Sequence, residues 1–423
     1  MQRNGTNTPE GSAFGSKWRD RFGPGLLVTA AFIGPGTVAT ASVIGASYGF
    51  ALTWALAFSV VATIILQEMS ARLGLVTGAG LGESLRSTFS GRIARPIVVV
   101  LVIAAIGIGN AAFQAGNIMG GAVGLELLTP VSHKWWALVV GLAAALILAF
   151  GGYRRIEFLL VGLVGVMSVV FVLTAIMTRP DIRVVLDGIF KPRLPSGSLT
   201  TVLALIGTTV VPYNLFLHAS AAAEKWGGAG SARQYIRHAR IDTIVSVSIG
   251  GIITLAIMST AAMLPAGGKG ITNAAAMAEQ LEPLLGASAK WFFALGLFAA
   301  GLTSAVTAPL AAAYATAGML GWEADMRSPR LRAVWATVIA IGMACAVIGE
   351  SPVKSIIFAQ AANGILLPIV AVFLLIAVNR KPLLGSFTNG TLANILGTLV
   401  IITAAGLGAT KLWDALTKLI TEV

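Results

Sequence analysis

Two short interruptions in apolar stretches carry the residues best suited to bind a ligand. Residues 34–37 read Gly-Pro-Gly-Thr, and residues 208–214 read Thr-Thr-Val-Val-Pro-Tyr-Asn. Because a proline inside an apolar run ends or kinks a helix, each segment predicts a break. The helix that restarts presents free N–H groups and the positive end of its dipole. Together with the hydroxyl and amide donors beside both breaks, these groups predict a site for a small anion.

A dehydrated divalent cation suits the same site poorly, because no acidic residue lies deep in any predicted helix. Proteins offset the cost of burying such a cation with carboxylates and many oxygen ligands. Glu68 is the nearest acidic residue, and an i,i+4 ion pair with Arg72 is its expected role. A site for manganese or iron is therefore not expected. Hydrated magnesium stays open through hydroxyls, amides and carbonyls, since it often keeps several waters.

The elements that position these residues are predicted to be membrane-spanning helices. Of the 423 residues, 56% are hydrophobic and 11% are charged, against about 25% charged in soluble domains. Several apolar stretches are long enough to cross a hydrocarbon core of about 30 Å, and spanning segments must satisfy their own backbone hydrogen bonds. We place eleven helices at about 24–45, 51–73, 96–119, 136–151, 156–177, 199–222, 241–264, 288–321, 331–348, 354–379 and 391–411.

The distribution of basic residues predicts the orientation of these helices. Most of the 29 Lys and Arg residues fall on the side that also carries the N-terminus, which marks that side as cytoplasmic. We therefore expect a multi-pass protein of the plasma (inner) membrane, with a cytoplasmic N-terminus and an outer C-terminus. The net charge of +12 then reflects topology and contact with the lipid bilayer, and no nucleic-acid partner is expected.

One membrane domain is predicted over 23–423, after a polar cytoplasmic segment at 1–22 that lacks the apolar core of a signal peptide. Pro35 and Pro212 each interrupt a helix that begins a set of about five. Paired interruptions of this kind point to an inverted-repeat transporter with a binding site at the middle of the membrane. The fold class is therefore all-α, with repeats at about 24–177 and 199–379 and an extra helix at about 391–411.

Four segments resemble, in order along the chain, the Nramp (natural resistance-associated macrophage protein) metal-ion transporters. They are residues 23–49, 70–78, 205–218 and 296–307, so that the likeness spans nearly the whole chain. The resemblance implies a LeuT-like fold of two inverted five-helix repeats. It also implies that the first and sixth helices are unwound at the substrate.

The departures from the family pattern fall on its metal ligands. The family's first helix carries Asp-Pro-Gly-Asn, where this chain has Gly34 and Thr37 in place of Asp and Asn. Its sixth helix carries Met-Pro-His-Asn, where this chain has Val211 and Tyr213, and the methionine sulfur selects soft metals. The resemblance therefore implies that the ligands for a transition metal are absent here. At this level the sequence is also similar to a divergent Nramp-related branch described as carrying bicarbonate.

Other polar residues in the predicted helices have two interpretations each. Gln360 matches a family glutamine that nears the metal, and the residues matching the family's proton-transfer Asp and Glu are Gln114 and Asn117. Hydrogen bonding between helices, or bonding of Ser and Thr to the backbone, is the alternative role. Predicted substrate-binding residues are Gly34, Gly36, Thr37, Thr208, Thr209, Val211, Tyr213, Asn214 and Gln360. Candidates for a polar pathway are Gln114, Asn117, His218 and Asn363, and those for a sodium site are Thr303, Ser304 and Thr307.

These patterns predict a secondary transporter of bicarbonate or a similar small anion, working by alternating access. One alternative is a divalent cation transporter, with magnesium favoured over manganese or iron. Another is a receptor-like protein that keeps the fold and binds without flux. Neither a cofactor nor an enzymatic activity is expected, because no histidine has a catalytic partner in the sequence. Loss of the acidic pair also predicts that a pH gradient alone does not drive uptake.

Overall fold

The computed structural model describes residues 33–150, 154–227, 232–264 and 271–421, and all regular elements in these ranges are helical. The long helices are α1 (Pro35–Tyr48), α2 (Thr53–Thr77), α4 (Ala94–Leu128), α5 (His133–Phe150), α6 (Arg154–Thr178), α8 (Leu199–Thr209), α9 (Pro212–Trp226), α10 (Ala232–Ala262), α13 (Ala289–Leu320), α14 (Pro329–Ile348), α15 (Pro352–Val378) and α17 (Thr391–Thr421). Short helices are α3 (Leu81–Thr88), α7 (Ile182–Phe190), α11 (Ala274–Glu279), α12 (Glu282–Leu285) and α16 (Lys381–Leu384).

Within these ranges, ten segments are long and apolar enough to cross a membrane. The predicted all-helical membrane fold is confirmed. Only the part of the first predicted helix from Pro35 onward is seen, since its residues up to 32 lie outside the described ranges together with the polar segment 1–22. The α8–α9 span is buried over 89% of its most apolar stretch and α17 over only 22%. The α8–α9 span therefore lies at the centre of the bundle, and α17 at its edge.

Three of the helices are longer than predicted by about nine or ten residues, and one of them is α17, which runs to Thr421 rather than residue 411. The third predicted helix does not end at residue 119 but runs to Leu128 as α4. Its residues Gly120 and Gly121 form a contact surface, because Cβ atoms added there would lie 2.1 Å from Pro35 and 3.3 Å from Val140. The seventh begins at residue 232 rather than 241, since its first turns are polar and hydropathy marks only the apolar part of a helix.

The helices of the core approach one another closely at glycines. A Cβ on Gly301 of α13 would lie 2.4 Å from the backbone nitrogen of Gly121 on α4, and one on Gly124 would lie 2.7 Å from the carbonyl of Ala294. Small residues at such contacts let helix backbones pack without the hydrophobic driving force available in water. The many glycines of the sequence thus serve helix packing, and the α4–α13 contact forms a wall of the central site.

An ion-pair cluster joins helices outside the central site. The carboxylate of Glu68 lies 3.3 Å from the Arg72 guanidinium on the same helix and 2.7 Å from that of Arg240 on α10. Arg72 also donates to the backbone carbonyl of Phe387 and the side chain of Asn389. The expected i,i+4 role of Glu68 is therefore present, and its charge is neutralised by arginines outside the site.

Candidate substrate site

Two helix N-termini meet at the centre of the bundle. Helix α1 begins at Pro35 and α9 begins at Pro212, each with proline at the first helical positions, where its missing N–H costs no hydrogen bond. Residues 210 and 211 separate α9 from the end of α8 at Thr209. The N-cap residues, Gly34 and Val211, make no side-chain capping bond. The free N–H groups of both helices are therefore available to a ligand.

The start of α1 and the end of α8 are joined by a hydrogen bond between threonines. The Thr37 and Thr208 hydroxyl oxygens are 2.9 Å apart, and both residues are fully buried. Thr209 instead donates to the carbonyl of Leu205 at 2.7 Å, so its hydroxyl serves the backbone of α8. The backbone carbonyl of Val211 accepts from the N–H of Asn214 at 3.0 Å.

Glycines bring Gln360 of α15 against the start of α1. A Cβ on Gly36 would lie 2.3 Å from the amide carbon of Gln360, and one on Gly116 of α4 would lie 3.1 Å from its nitrogen. A Cβ on Gly207 would lie 2.0 Å from the Gln360 carbonyl. A side chain at any of these glycines would displace Gln360, so its position requires glycine at all three.

Several buried polar atoms near the starts of α1 and α9 have no hydrogen-bond partner among the described residues. They include the Tyr213 hydroxyl and both polar side-chain atoms of Asn214, Gln360 and Asn117. All four residues are at most 1% exposed. A buried polar atom left unpaired costs about 1–3 kcal/mol, and most such atoms in proteins have a partner. The cluster is therefore suited to a small polar ligand that both donates and accepts hydrogen bonds.

Asn117 faces this cluster from α4. Gly116 lies beside Gln360, Gly120 lies against Pro35, and the Asn117 carbonyl is 2.8 Å from the position of a Cβ on Gly301. One turn of α4 is thus enclosed by α15, the start of α1 and α13. Interhelical hydrogen bonding was the alternative role for this residue, but its side chain makes no such bond.

The remaining pathway candidates have different surroundings. Gln114 donates to the carbonyl of Ala305 on α13 at 2.9 Å, which is interhelical bonding. The Nδ1 atom of His218 lies 2.7 Å from the Gln67 side-chain oxygen, while its Nε2 atom has no partner. Asn363 lies beside Gly109 of α4. Gln114 and His218 therefore contact side chains or backbone of neighbouring helices, and Asn363 lies at the contact between α4 and α15.

The three candidate sodium ligands on α13 also differ in their contacts. Thr303 donates to the carbonyl of Ala299 at 2.7 Å and Thr307 to that of Thr303 at 2.5 Å, which is the backbone bonding expected of membrane-helix threonines. Ser304 differs, because its hydroxyl lies 3.1 Å from the position of a Cβ on Gly34. Ser304 and Thr303 also border a small cavity together with Ile33. Ser304 is therefore a neighbour of the first break.

Sequence reasoning missed two residues near the breaks. The ring of Phe113 packs edge-on against Tyr213, with ring centroids 5.5 Å apart, and holds the tyrosine in place. The buried hydroxyl of Thr40 has no hydrogen-bond partner among the residues that the structure describes. Thr40 follows Thr37 by three residues, a spacing that places both on one helix face, and this signal was available in the sequence.

The described residues give the site no formal charge. Arg72 is the only charged residue among those buried, and it belongs to the Glu68 cluster. No three His, Cys, Asp or Glu residues of the described ranges lie close enough to hold a metal ion. Gly34 and Val211, which the sequence resemblance matches to the family's metal-binding Asp and Met, carry no ligand atom in their side chains. The site therefore offers dipoles, hydroxyls and amides, without carboxylate or thioether ligands.

A family model described as natural resistance-associated macrophage protein-like matches residues 25–414. The divalent metal cation transporter MntH of Yersinia pestis (strain Pestoides F) is 30% identical over 393 residues, which cover 92% of this chain and 93% of the relative. Among solved structures, the Eremococcus coleocola manganese transporter has a TM-score of 0.77 at 21% identity, covering 95% of this chain and 87% of that one. Mhp1, a nucleobase-cation-symport-1 family transporter, has a TM-score of 0.55 at 14% identity, covering 94% and 93%.

Proposed function

Because this chain belongs to the Nramp family of membrane transporters, we propose that it carries a small inorganic anion such as bicarbonate by alternating access. One observation carries the proposal: the helix N-termini at Pro35 and Pro212 open into a buried cluster of neutral, unpaired polar side chains. Helix N-termini stabilise anions through free N–H groups and the helix dipole. Broken transporter helices present such termini to anionic substrates.

Bicarbonate matches the chemistry of the cluster. Its one hydroxyl can donate to the amide oxygen of either Asn214 or Gln360, and its other oxygens can accept from the N–H groups of these amides and from the Tyr213 hydroxyl. As a singly charged ion it needs less compensation than a divalent cation. Gly34 favours an anion in particular, since an aspartate at this position would repel it.

A divalent cation is the second candidate, and the relatives favour it. The curated relatives are named divalent metal cation transporters, and a structural neighbour is a manganese transporter. These names support a cation for the family and lend no support to bicarbonate. With Gly34 and Val211 in place of ligands, a cation here would bind through hydroxyl and carbonyl oxygens. Magnesium that keeps part of its water shell fits such a site better than manganese or iron.

Flux into liposomes that contain the purified protein separates the candidates. The vesicles hold a pH dye and a divalent-metal dye, and protein-free vesicles are the control. Bicarbonate-dependent alkalinisation without metal entry supports the anion, whereas magnesium or manganese entry without a bicarbonate response overturns it. Substrate binding without any flux would identify a receptor-like protein.

A conservative substitution ties the flux to the cluster. Tyr213→Phe removes one buried hydroxyl and keeps the ring that packs on Phe113. Because it deletes a donor to the substrate, we expect a severalfold loss of the proposed anion flux. Tyr48→Phe, at the far end of α1, is the matched control and should transport normally. Equal rates of anion flux in the two variants would show that the Tyr213 hydroxyl does not contact the substrate.

The orientation and the coupling ion complete the proposal. Arg86, Arg92 and Arg95, which follow α2, mark the cytoplasmic side, so the N-terminus is cytoplasmic and the C-terminus lies outside the plasma (inner) membrane. Ser304, beside Gly34 and the small cavity, is the residue of α13 best placed to contact a coupled sodium ion. Labelling of cysteines introduced into the loops, in intact cells, tests the orientation.

A further inference from the structure

The short helix α7 lies in the connection between the spanning helices α6 and α8, and the proposed function does not use it. Only three residues separate it from the end of α6. The chain turns at Arg179, whose φ is 47. Asp181 then caps the new helix, since its carboxylate accepts from the backbone N–H of Arg183 at 2.8 Å. The helix α7 is therefore a defined element that stays close to the membrane ends of α6 and α8.

One side of α7 packs on the connection between α1 and α2. Val185 is buried, and a Cβ on Gly188 would lie 2.0 Å from the carbonyl of Phe50. Just after α7, the carbonyl of Arg193 accepts from the indole N–H of Trp54 at 2.8 Å. These contacts fix α7 at the end of the bundle where α1 ends and α2 begins.

A second side of α7 is an exposed apolar row. Ile182, Leu186 and Phe190 follow one another at intervals of four residues, which places them on one face of the helix. They are 65%, 44% and 77% exposed. Contiguous exposed apolar side chains mark a surface that contacts a membrane or another protein. The apolar row therefore needs a partner outside the described residues.

A row of charged side chains runs beside the apolar row. Arg183, Asp187 and Lys191 have the same spacing and lie about 100° around the helix. Asp187 pairs with Lys191 and, at 3.4 Å, with Arg193. Arg183 is exposed and has no ion-pair partner among the described residues. The helix thus has one face for protein, one for an apolar phase and one for water and anions, as a helix at a membrane surface has.

The surroundings of α7 place it at the level of a membrane surface. The last turn of α6, just before it, exposes the apolar residues Ile176 and Met177. Exposed tryptophans lie in the first turns of α5 and α13, at Trp135 and Trp291. The chain crosses the bundle with alternating direction, so both turns lie at the same end as α7. Tryptophan is enriched where membrane helices meet the headgroups.

We infer that α7 lies in the membrane–water interface and binds the phospholipid surface. Its apolar row, Ile182, Leu186 and Phe190, contacts acyl chains, while Arg183 on the charged row faces the phosphates. A phospholipid surface offers an apolar layer and anionic groups side by side, which matches the two rows. Three side chains of one short helix are too few for a stable protein interface, which buries about 800 Å² per partner. The helix thereby holds the connection between α1 and α2 at the membrane surface.

Spin labels on two faces of α7 test the inference. Leu186→Cys and Val184→Cys are made in a Cys345→Ser background, which removes the exposed native cysteine. Val184 is the matched control, because it is also apolar and exposed, at 50%, but lies about 160° around the helix from Leu186. The labelled full chain is reconstituted in vesicles of phosphatidylcholine and phosphatidylglycerol. Collision rates of each nitroxide are measured with oxygen, which concentrates in lipid, and with a water-soluble nickel chelate.

The ratio of oxygen to nickel-chelate collisions should be severalfold higher for the label at Leu186 than for the label at Val184. Equal ratios at the two positions, or a higher ratio at Val184, would overturn the inference. So would a Leu186 label that neither reagent reaches, because protein would then cover the apolar row. Phe190→Cys probes the same row and covers the case of a Leu186→Cys variant that does not fold. The measurement needs no transported ion, so its outcome is independent of the anion proposal.

Discussion

A carboxylate placed at Gly34 is the sharpest test of the neutral site. The backbone there is extended, with φ −114 and ψ −176, which any residue adopts. A Cβ would meet only the side chain of Ser304, whose hydroxyl lies 3.1 Å away, so a small side chain needs a shift of a few tenths of an ångström. Gly34→Asp and Gly34→Asn have nearly the same shape and differ in charge. The ratio of the anion affinities of the two variants therefore measures the effect of the charge separately from the effect of crowding.

The magnitude follows from Coulomb's law. A carboxylate about 5 Å from a bound monovalent anion, at an effective dielectric constant of about 20, raises its energy by about 3 kcal/mol. At about 1.4 kcal/mol for each factor of ten, anion affinity should fall roughly 140-fold in Gly34→Asp relative to Gly34→Asn. A divalent cation would respond in the opposite direction and bind the Asp variant more tightly.

The assay is initial flux in liposomes against substrate concentration, for the wild type and both variants. Gly34→Asn should show a modest loss from crowding against Ser304, and Gly34→Asp should show almost no anion flux. Equal anion flux in the two variants would refute the reasoning, because a charge at the site would then have no effect. Stronger metal flux in Gly34→Asp than in Gly34→Asn would favour the cation candidate.

Three further predictions follow from close contacts and unpaired atoms. Gly207→Ala should lower the free energy of unfolding by about 1–3 kcal/mol through overpacking, because its Cβ would lie 2.0 Å from the Gln360 carbonyl, and should therefore lower the melting temperature in detergent. The control Gly162→Ala, whose Cβ would have no atom within 4 Å, should leave the melting temperature unchanged. Equal shifts in the two variants would contradict the packing argument. Gln360→Leu should cut flux at least tenfold while the melting temperature stays the same or rises, since it replaces two unpaired buried polar atoms. A lower melting temperature with full flux would show that Gln360 stabilises the fold and does not bind the substrate. Ser304→Ala should raise the sodium concentration for half-maximal flux severalfold, and an unchanged sodium dependence would exclude that residue as a sodium ligand.

Local chemistry explains which elements could be predicted. Proline cannot continue a helix without losing a hydrogen bond, so the starts of α1 and α9 could be placed at Pro35 and Pro212 from sequence alone. The apolar spans followed from length and composition. The short helices α3 and α7 were missed, because they are too short to cross a membrane and hydropathy detects only spanning segments.

The partners within the site depend on how the helices rotate against one another. Gln114 and Asn117 are three residues apart on α4, yet Gln114 bonds the carbonyl of Ala305 and Asn117 bonds no other helix. Ser304 faces Gly34, whereas Thr303 and Thr307 donate to backbone carbonyls of their own helix. No periodicity in one helix reveals such contacts, because they are fixed by the glycine-mediated approach of α4, α13 and α15.

The neutral lining of the site has an electrical consequence. Arg72 is the only charged residue among the buried described ones, and Glu68 pairs with it. An empty carrier with this lining moves no net charge when it changes conformation, so the membrane potential acts only on the loaded step. When the loaded carrier moves a monovalent anion inward, a membrane potential that is negative inside opposes this movement by about 2.3 kcal/mol per 100 mV. One co-transported sodium ion would cancel the charge, and net uptake would then follow the two concentration gradients and become independent of voltage.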